Sequence, residues 1–258
     1  MLLAGGSWNP DDVRSYRLLL ATLDVTSTDH PVLGRRLLAE YLGSLLLAAI
    51  VIGSGIAAQS LSPHAIGLEL LENAAATAVG LYVLILALGP VSGAHFNPVV
   101  SLVDAATGGL RWRDVAPYVI AQVLGCSSGA IVANLMFSRG AVSISTHHRA
   151  SMAHLFAEVV ATAGLVLVLF SLTRSGRGRL CASAVGSYIG AAYFFTSSTS
   201  FANPAITAAR MFSNSFAGIA PVSAPGFIAA ELVGGVVGYF AVVALYPNAP
   251  RTLRELES

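Results

Sequence analysis

The chain has 258 residues, 55% of them hydrophobic and only 10% charged, where a soluble domain carries roughly 25% charged residues. With a mean hydropathy of +0.72, this composition excludes a water-soluble globular domain. The formal net charge of +1 leaves no electrostatic footprint for nucleic acid.

The first thirty or so residues hold Asp11, Asp12, Arg14 and Arg17 ahead of the leucine run Leu18 to Leu20. That run is too short for the apolar core of a cleavable signal, so residues 1–34 are expected to form a cytoplasmic tail, with an amphipathic turn near Leu18 to Leu20. Six apolar segments follow, at about 37–58, 73–91, 115–137, 153–172, 180–200 and 224–246. Each is close to the ~20 residues that cross a bilayer as a helix. Glu69 and Glu72 open the second segment and read as solvated charges at the outer rim.

Two shorter apolar stretches, 97–107 and 203–213, lie after the second and fifth segments and begin at Asn97-Pro98-Val99 and Asn203-Pro204-Ala205. Unpaired backbone groups in hydrocarbon cost several kcal/mol each, so irregular chain at membrane depth survives only where protein covers it or water reaches it. Their length suits half-spanning helices lining a pore. Asn is a preferred helix N-cap and proline at the first helical position sacrifices no hydrogen bond; the pair is a good helix start, and the amides of Asn97 and Asn203 can offer N–H donors to whatever occupies the axis.

Every basic residue is an arginine. With six spans and both termini on one side, Arg14, Arg17, Arg35, Arg36, Arg111, Arg113, Arg174, Arg177, Arg179, Arg251 and Arg254 fall on the terminal side, and only Arg139 and Arg149 occupy loops opposite. The positive-inside rule then puts both termini in the cytoplasm. Cys126 and Cys181 sit in apolar segments and read as small buried hydrophobes.

The chain repeats itself. Ala39-Glu40-Tyr41 matches Ala157-Glu158-Val159, and Ala121-Gln122-Val123-Leu124-Gly125 matches Ala230-Glu231-Leu232-Val233-Gly234. Three spans plus a half-helix occur twice, at about 35–137 and 153–246; three is odd, so the copies insert with opposite orientation. The fold class is therefore an all-α membrane protein of six transmembrane helices and two re-entrant half-helices related by an inverted repeat, over residues 35–247, with 248–258 as a C-terminal cytoplasmic tail.

These motifs, Ser92-Gly93-Ala94-His95-Phe96-Asn97-Pro98-Val99, Phe201-Ala202-Asn203-Pro204-Ala205, Glu40, Glu158, Gly125 and Gly234, resemble those of the major intrinsic protein family, the aquaporins and glycerol facilitators. The resemblance implies a six-helix bundle with one pore per subunit, commonly a homotetramer in the plasma (inner) membrane, passing small uncharged solutes down their gradients without a cofactor. It implies that His95 and the carbonyls of Gly93, Ala94 and Phe96 line the cytoplasmic half of the pore, and those of Thr199, Phe201 and Ala202 the outer half. Glu40 and Glu158 would support the re-entrant loops. Intramembrane carboxylates are functional candidates by default, but no chain of titrating partners follows either one, so a scaffold role is favoured over a proton relay.

Family members usually place an arginine three residues after the second signature Asn. Here that position is Ile206, and the family's spacing puts the rest of the selectivity ring at Thr77, Ala191 and Ser200. None is aromatic, histidine or charged, so the ring is expected to be wide; pore diameter and lining donors together set selectivity. With Thr207-Ala208-Ala209-Arg210, these replacements resemble the bacterial branch associated with arsenic resistance. Arg210 reads either as an interfacial anchor or cap on loop carbonyls, or as a displaced cation guarding the outer vestibule. The favoured function is a passive channel for small polyols and metalloid hydroxides such as arsenous acid, with some water. A water or glycerol channel with an atypical filter is the alternative, and an ion-coupled carrier is disfavoured because the spans offer little to bind a coupling ion. Ser-His neighbours at Ser62 to His64 and Ser151 to His154 lack a partner acid, so no enzyme is expected; His147, His148 and His154 leave open an outer metal-sensing role, although metal sites normally take three or four ligands.

Overall fold

The computed structural model describes residues 31–247; the rest of the expected tails, including the turn near Leu18 to Leu20, lies outside the described residues. Among them the chain is helical throughout: α1 (Leu33–Leu61), α2 (Ile66–Ser92), α3 (Pro98–Thr107), α4 (Trp112–Met136), α5 (Met152–Arg174), α6 (Cys181–Phe195), α7 (Pro204–Arg210) and α8 (Ala224–Leu245), with a 3-10 turn at Gly178–Leu180. Five helices, α1, α2, α4, α5 and α8, are long and apolar enough to cross a bilayer. The sixth expected span is shorter than 180–200: α6 has 15 residues, about 22 Å of helix at 1.5 Å per residue, and Thr196 ends it in an extended conformation. The second half-helix likewise stops at Arg210, short of residue 213.

The packing obeys the repeat. α1 lies against α4 and α2 as α5 lies against α8 and α6; α2 packs on α6 across the two copies, and each half-helix touches the other copy's last helix, α3 on α8 and α7 on α4. Small residues set the closest crossings. Gly125 and Gly129 on α4 pass directly over the carbonyls of Tyr41 and Leu45 on α1, where a Cβ would overlap the oxygen; Gly234 and Gly238 on α8 meet the carbonyls of Val159 and Ala163 on α5. Lipid tails offer no hydrophobic drive between helices, so the four-residue glycine spacing stabilises association by backbone proximity.

Outside, Leu38, Leu42 and Leu46 on α1, Ile120 and Leu124 on α4 and Val233, Val236 and Phe240 on α8 are exposed, an apolar surface suited to hydrocarbon. Glu69 and Glu72 are not solvated rim charges. Glu69 is buried at 7% exposure, and the half-buried Glu72 accepts a hydrogen bond from Ser62 Oγ at 2.7 Å, although Ile66 and Leu68 in the first turn of α2 are exposed.

Candidate solute channel

Two irregular loops precede the half-helices with matching backbone. In the first, Gly93, Ala94 and Phe96 have φ of 90°, 50° and 49°; in the second, Thr199, Ser200 and Ala202 have φ of 64°, 48° and 48°. Left-handed backbone at non-glycine residues costs of order 1–3 kcal/mol each, so something must hold it. Glu40 accepts from Ser92 Oγ (2.6 Å) and the His95 N–H (3.0 Å) on one oxygen and from the Phe96 N–H (2.8 Å) and Gln122 Nε2 (2.8 Å) on the other. Glu158 accepts from the N–H groups of Phe201 (2.9 Å) and Ala202 (2.8 Å). Both carboxyls are fully buried, and together they fix the two loops in equivalent shapes.

The signature asparagines tie the loops to each other. Asn97 Oδ1 caps α3 by accepting from the Val99 N–H at 2.9 Å, which turns its amide nitrogen toward the second loop, where it donates to the Ala202 carbonyl at 2.7 Å. Asn203 mirrors it: Oδ1 accepts from the N–H groups of Ala205 (3.0 Å) and Ile206 (3.3 Å), and Nδ2 donates to the Phe96 carbonyl at 2.8 Å. Each amide nitrogen carries two hydrogens, so each keeps one for a solute. Both asparagines line the central cavity.

The rest of the lining comes from four helix stripes at four-residue spacing: Leu47 and Val51 on α1, Thr77, Leu81 and Ile85 on α2, Leu165 and Leu169 on α5, and Val185, Ile189 and Tyr193 on α6. Gly93, Ala94 and His95 contribute from the first loop, Ser200, Phe201 and Ala202 from the second, and Ile206 and Arg210 from α7. Phe96 and Thr199 are not among the lining residues, and Phe96 instead fills the space beside Gly43. Pro98, Val99, Pro204 and Ala205 are buried behind the channel wall.

Three of the four positions expected to form a ring line the cavity and one does not. Thr77, Ser200 and Ile206 share the cavity, but Ala191 is exposed on the outside of α6. Tyr193 takes its place, its hydroxyl 3.2 Å from Thr77 Oγ1. Two residues turn an α-helix by about 200°, so a two-residue offset moves a side chain from the channel to the lipid. An aromatic side chain therefore stands beside Thr77 in the cavity. Ser200 Oγ is buried without a protein partner, so it does not present its hydroxyl to the cavity.

Arg210 is buried at 2% exposure and lines the cavity. Its Nε donates to the Ala217 carbonyl, and its guanidinium carbon lies 3.4 Å from the centre of the Phe201 ring. Arg149, which the sequence left in a loop, sits 5.5 Å from the same ring and donates to the carbonyls of Gly218 and Phe216, each at 2.8 Å. Burial lowers its pKa below the usual guanidinium value while Tyr193 and Glu158 act in the opposite sense; a guanidinium still keeps its charge. Two cations thus brace the second loop around Phe201. At the other end, His95 Nδ1 is 3.0 Å from Ser101 Oγ and Nε2 is 3.3 Å from Asp104 Oδ2, so the lining imidazole is held by its own half-helix. Cys181, expected to be an inert buried thiol, also reaches the cavity.

His147, His148 and His154 do not assemble into a metal site. His154 Nδ1 lies 2.5 Å from the Arg149 carbonyl oxygen, His147 and His148 are exposed, and among the described residues no three His, Cys, Asp or Glu side chains are grouped to hold a metal. Tyr193, Arg149, Asp104, Gln122 and Glu231 are the residues that sequence reasoning left without a role. Gln122 and Glu231 had a visible signal in their matching places in the repeat, and Tyr193 in its spacing from Ile189.

Comparison with known proteins agrees with this architecture. The family model "Major intrinsic protein" matches residues 27–201. The aquaglyceroporin AqpS of Rhizobium meliloti is 50% identical over 204 residues, 79% of this chain and 87% of that one; the glycerol uptake facilitator protein of Streptococcus pneumoniae is 30% identical over 152 residues, 53% of this chain and 63% of that one. Among solved structures, the aquaglyceroporin of Plasmodium falciparum aligns with a TM-score of 0.66 at 20% identity, covering 83% of this chain and 98% of that one, which supports the fold. With the family model spanning most of the chain and a half-identical relative spanning most of both sequences, the chain belongs to the major intrinsic protein family.

Proposed function

We propose that the protein is a passive channel for small uncharged solutes larger than water, glycerol and metalloid hydroxides such as arsenous acid among them, with water a lesser permeant. The observation that carries this reading is the chemistry around Ile206. Thr77 and Tyr193 bring hydroxyls to the cavity lining and Ile206 and Ile189 aliphatic surface, while the guanidinium of Arg210 is engaged by Ala217 and Phe201. A polyol has the matching two-sided chemistry, hydroxyls along one edge and C–H groups along the other. Few fixed charges leave a narrow file of water less tightly ordered than a charged filter would.

The relatives named an aquaglyceroporin and a glycerol uptake facilitator favour the same solute class. The arginine distribution supports cytoplasmic termini, and we place the protein in a bacterial inner membrane as a homotetramer. Purified protein in liposomes, challenged in turn with water, glycerol and arsenous acid gradients, tests the proposal. All three should equilibrate without saturation or ion dependence. Water flux with no glycerol or arsenous acid entry would overturn it, and flux driven by an ion gradient would replace it with a carrier.

A further inference from the structure

The two halves of the repeat differ at one buried position that neither the channel lining nor the loop geometry has used. In the first half Glu40 is partnered by Gln122, whose Nε2 donates to Glu40 Oε2 at 2.8 Å and to Ser101 Oγ at 2.9 Å. In the second half the same positions hold Glu158, Glu231 and Thr207. Glu231 Oε1 accepts from Thr207 Oγ1 at 2.6 Å and from the Asn203 N–H at 3.2 Å. Its other oxygen, Oε2, is buried with no partner.

An amide that donates has been replaced by a carboxyl, beside a second carboxylate. The two acids bind the N–H groups of successive residues, Glu158 that of Ala202 and Glu231 that of Asn203, and both are fully buried. Two carboxylates sharing a dry site do not both ionise readily. The surrounding charges do not resolve the conflict. Arg210 on α7 is held by Ala217 and Phe201, Arg149 by Gly218 and Phe216, and among the described residues neither forms an ion pair with Glu158 or Glu231. Asp104, the acid on α3, is engaged with His95, and the Tyr193 hydroxyl of α6 with Thr77.

We propose that Glu231 carries a proton on Oε2 and offers it to Glu158 as a hydrogen bond, so that the two side chains form a buried pair sharing one proton behind the second loop. The O–H of Glu231 then does for Glu158 what the N–H of Gln122 does for Glu40. Each half of the repeat keeps one negative charge against two loop N–H groups, and the unpartnered Oε2 is explained as the protonated oxygen. Losing the proton would place a second charge beside the cap of α7.

Infrared spectroscopy of the full-length protein in lipid vesicles tests this at neutral pH. Glu231→Gln should remove one protonated-carboxylic-acid carbonyl band from the wild-type spectrum, because the amide copies the first half of the repeat without a titratable proton. A spectrum unchanged in that region would overturn the proposal. If Glu231→Gln does not fold, Gln122→Glu decides instead: it builds the same pair in the first half and should add one such band, whereas its absence would overturn the proposal.

Discussion

At Ile206 one aliphatic side chain occupies the place where the family usually sets an arginine, and it faces Thr77, Tyr193 and Ser200 in the cavity. Ile206→Arg would add a second guanidinium one turn from Arg210 and fill the apolar side of the ring. Glycerol permeability should fall at least about tenfold more than water permeability, equivalent to about 1.4 kcal/mol of added barrier, read as the ratio of the two rates in proteoliposomes; an equal fall for both would place the selective step elsewhere. The residues carrying this argument were unevenly legible. Ile206 and Ser200 follow from their distance to Asn203, which a rigid loop and half-helix preserve. Ala191 was misassigned because α6 is joined to that loop by residues whose length the sequence does not fix, and a two-residue error reverses the face. Tyr193 was recoverable only as the next member of the Val185 and Ile189 stripe. Glu231 was visible as half of a motif, but its conflict with Glu158 needed the fold to bring α5 and α8 together.

On the scale of elements, the half-helices stand on carboxylates rather than on propensity. α3 and α7 have 10 and 7 residues, shorter than the roughly 12–15 that an isolated helix needs to be even marginal. Glu40→Ala would leave the His95 and Phe96 N–H groups and the Gln122 amide without their acceptor, in a loop already strained at Ala94 and Phe96. The loss should resemble the breaking of a buried charged network, about 3–5 kcal/mol, seen as a large drop in thermal midpoint in detergent, with Glu40→Gln milder because the side chain still accepts. A midpoint unchanged by Glu40→Ala would remove the scaffold role. The glycine crossings give a second test. Gly129→Val puts branched carbons against the Leu45 carbonyl, where no side chain can swing away, so α1 and α4 must separate. Overpacking of this kind costs about 1–3 kcal/mol, and the same denaturation assay should record it, whereas Gly34→Val, where no atom lies within 4 Å of the added carbon, should not.

Across the whole molecule, the inverted repeat makes two halves share one axis, and we expect the exclusion of cations to be a property of everything that meets there. Asn97 and Asn203 offer donors rather than acceptors at the midpoint, and Arg210 adds a fixed positive charge one helical turn beyond Ile206. Its geometry serves both readings the sequence left open, since the Nε bond to Ala217 caps the outer loop while the side chain still lines the cavity. A cation passing about 6 Å from that guanidinium, at an effective dielectric constant near 20, meets about 3 kcal/mol of repulsion, enough to slow it on the order of a hundredfold. Arg210→Leu should therefore produce a monovalent-cation conductance in planar bilayers, and Arg210→Lys, which keeps the charge but not the planar stack on Phe201, should stay silent. The loop does not depend on Arg210 alone, because Arg149 holds the neighbouring carbonyls of Phe216 and Gly218, so the leucine variant is expected to fold and its glycerol flux reports that it has. A folded Arg210→Leu channel that passes glycerol and carries no current would shift the whole of cation exclusion to the paired asparagines and the half-helix ends behind them.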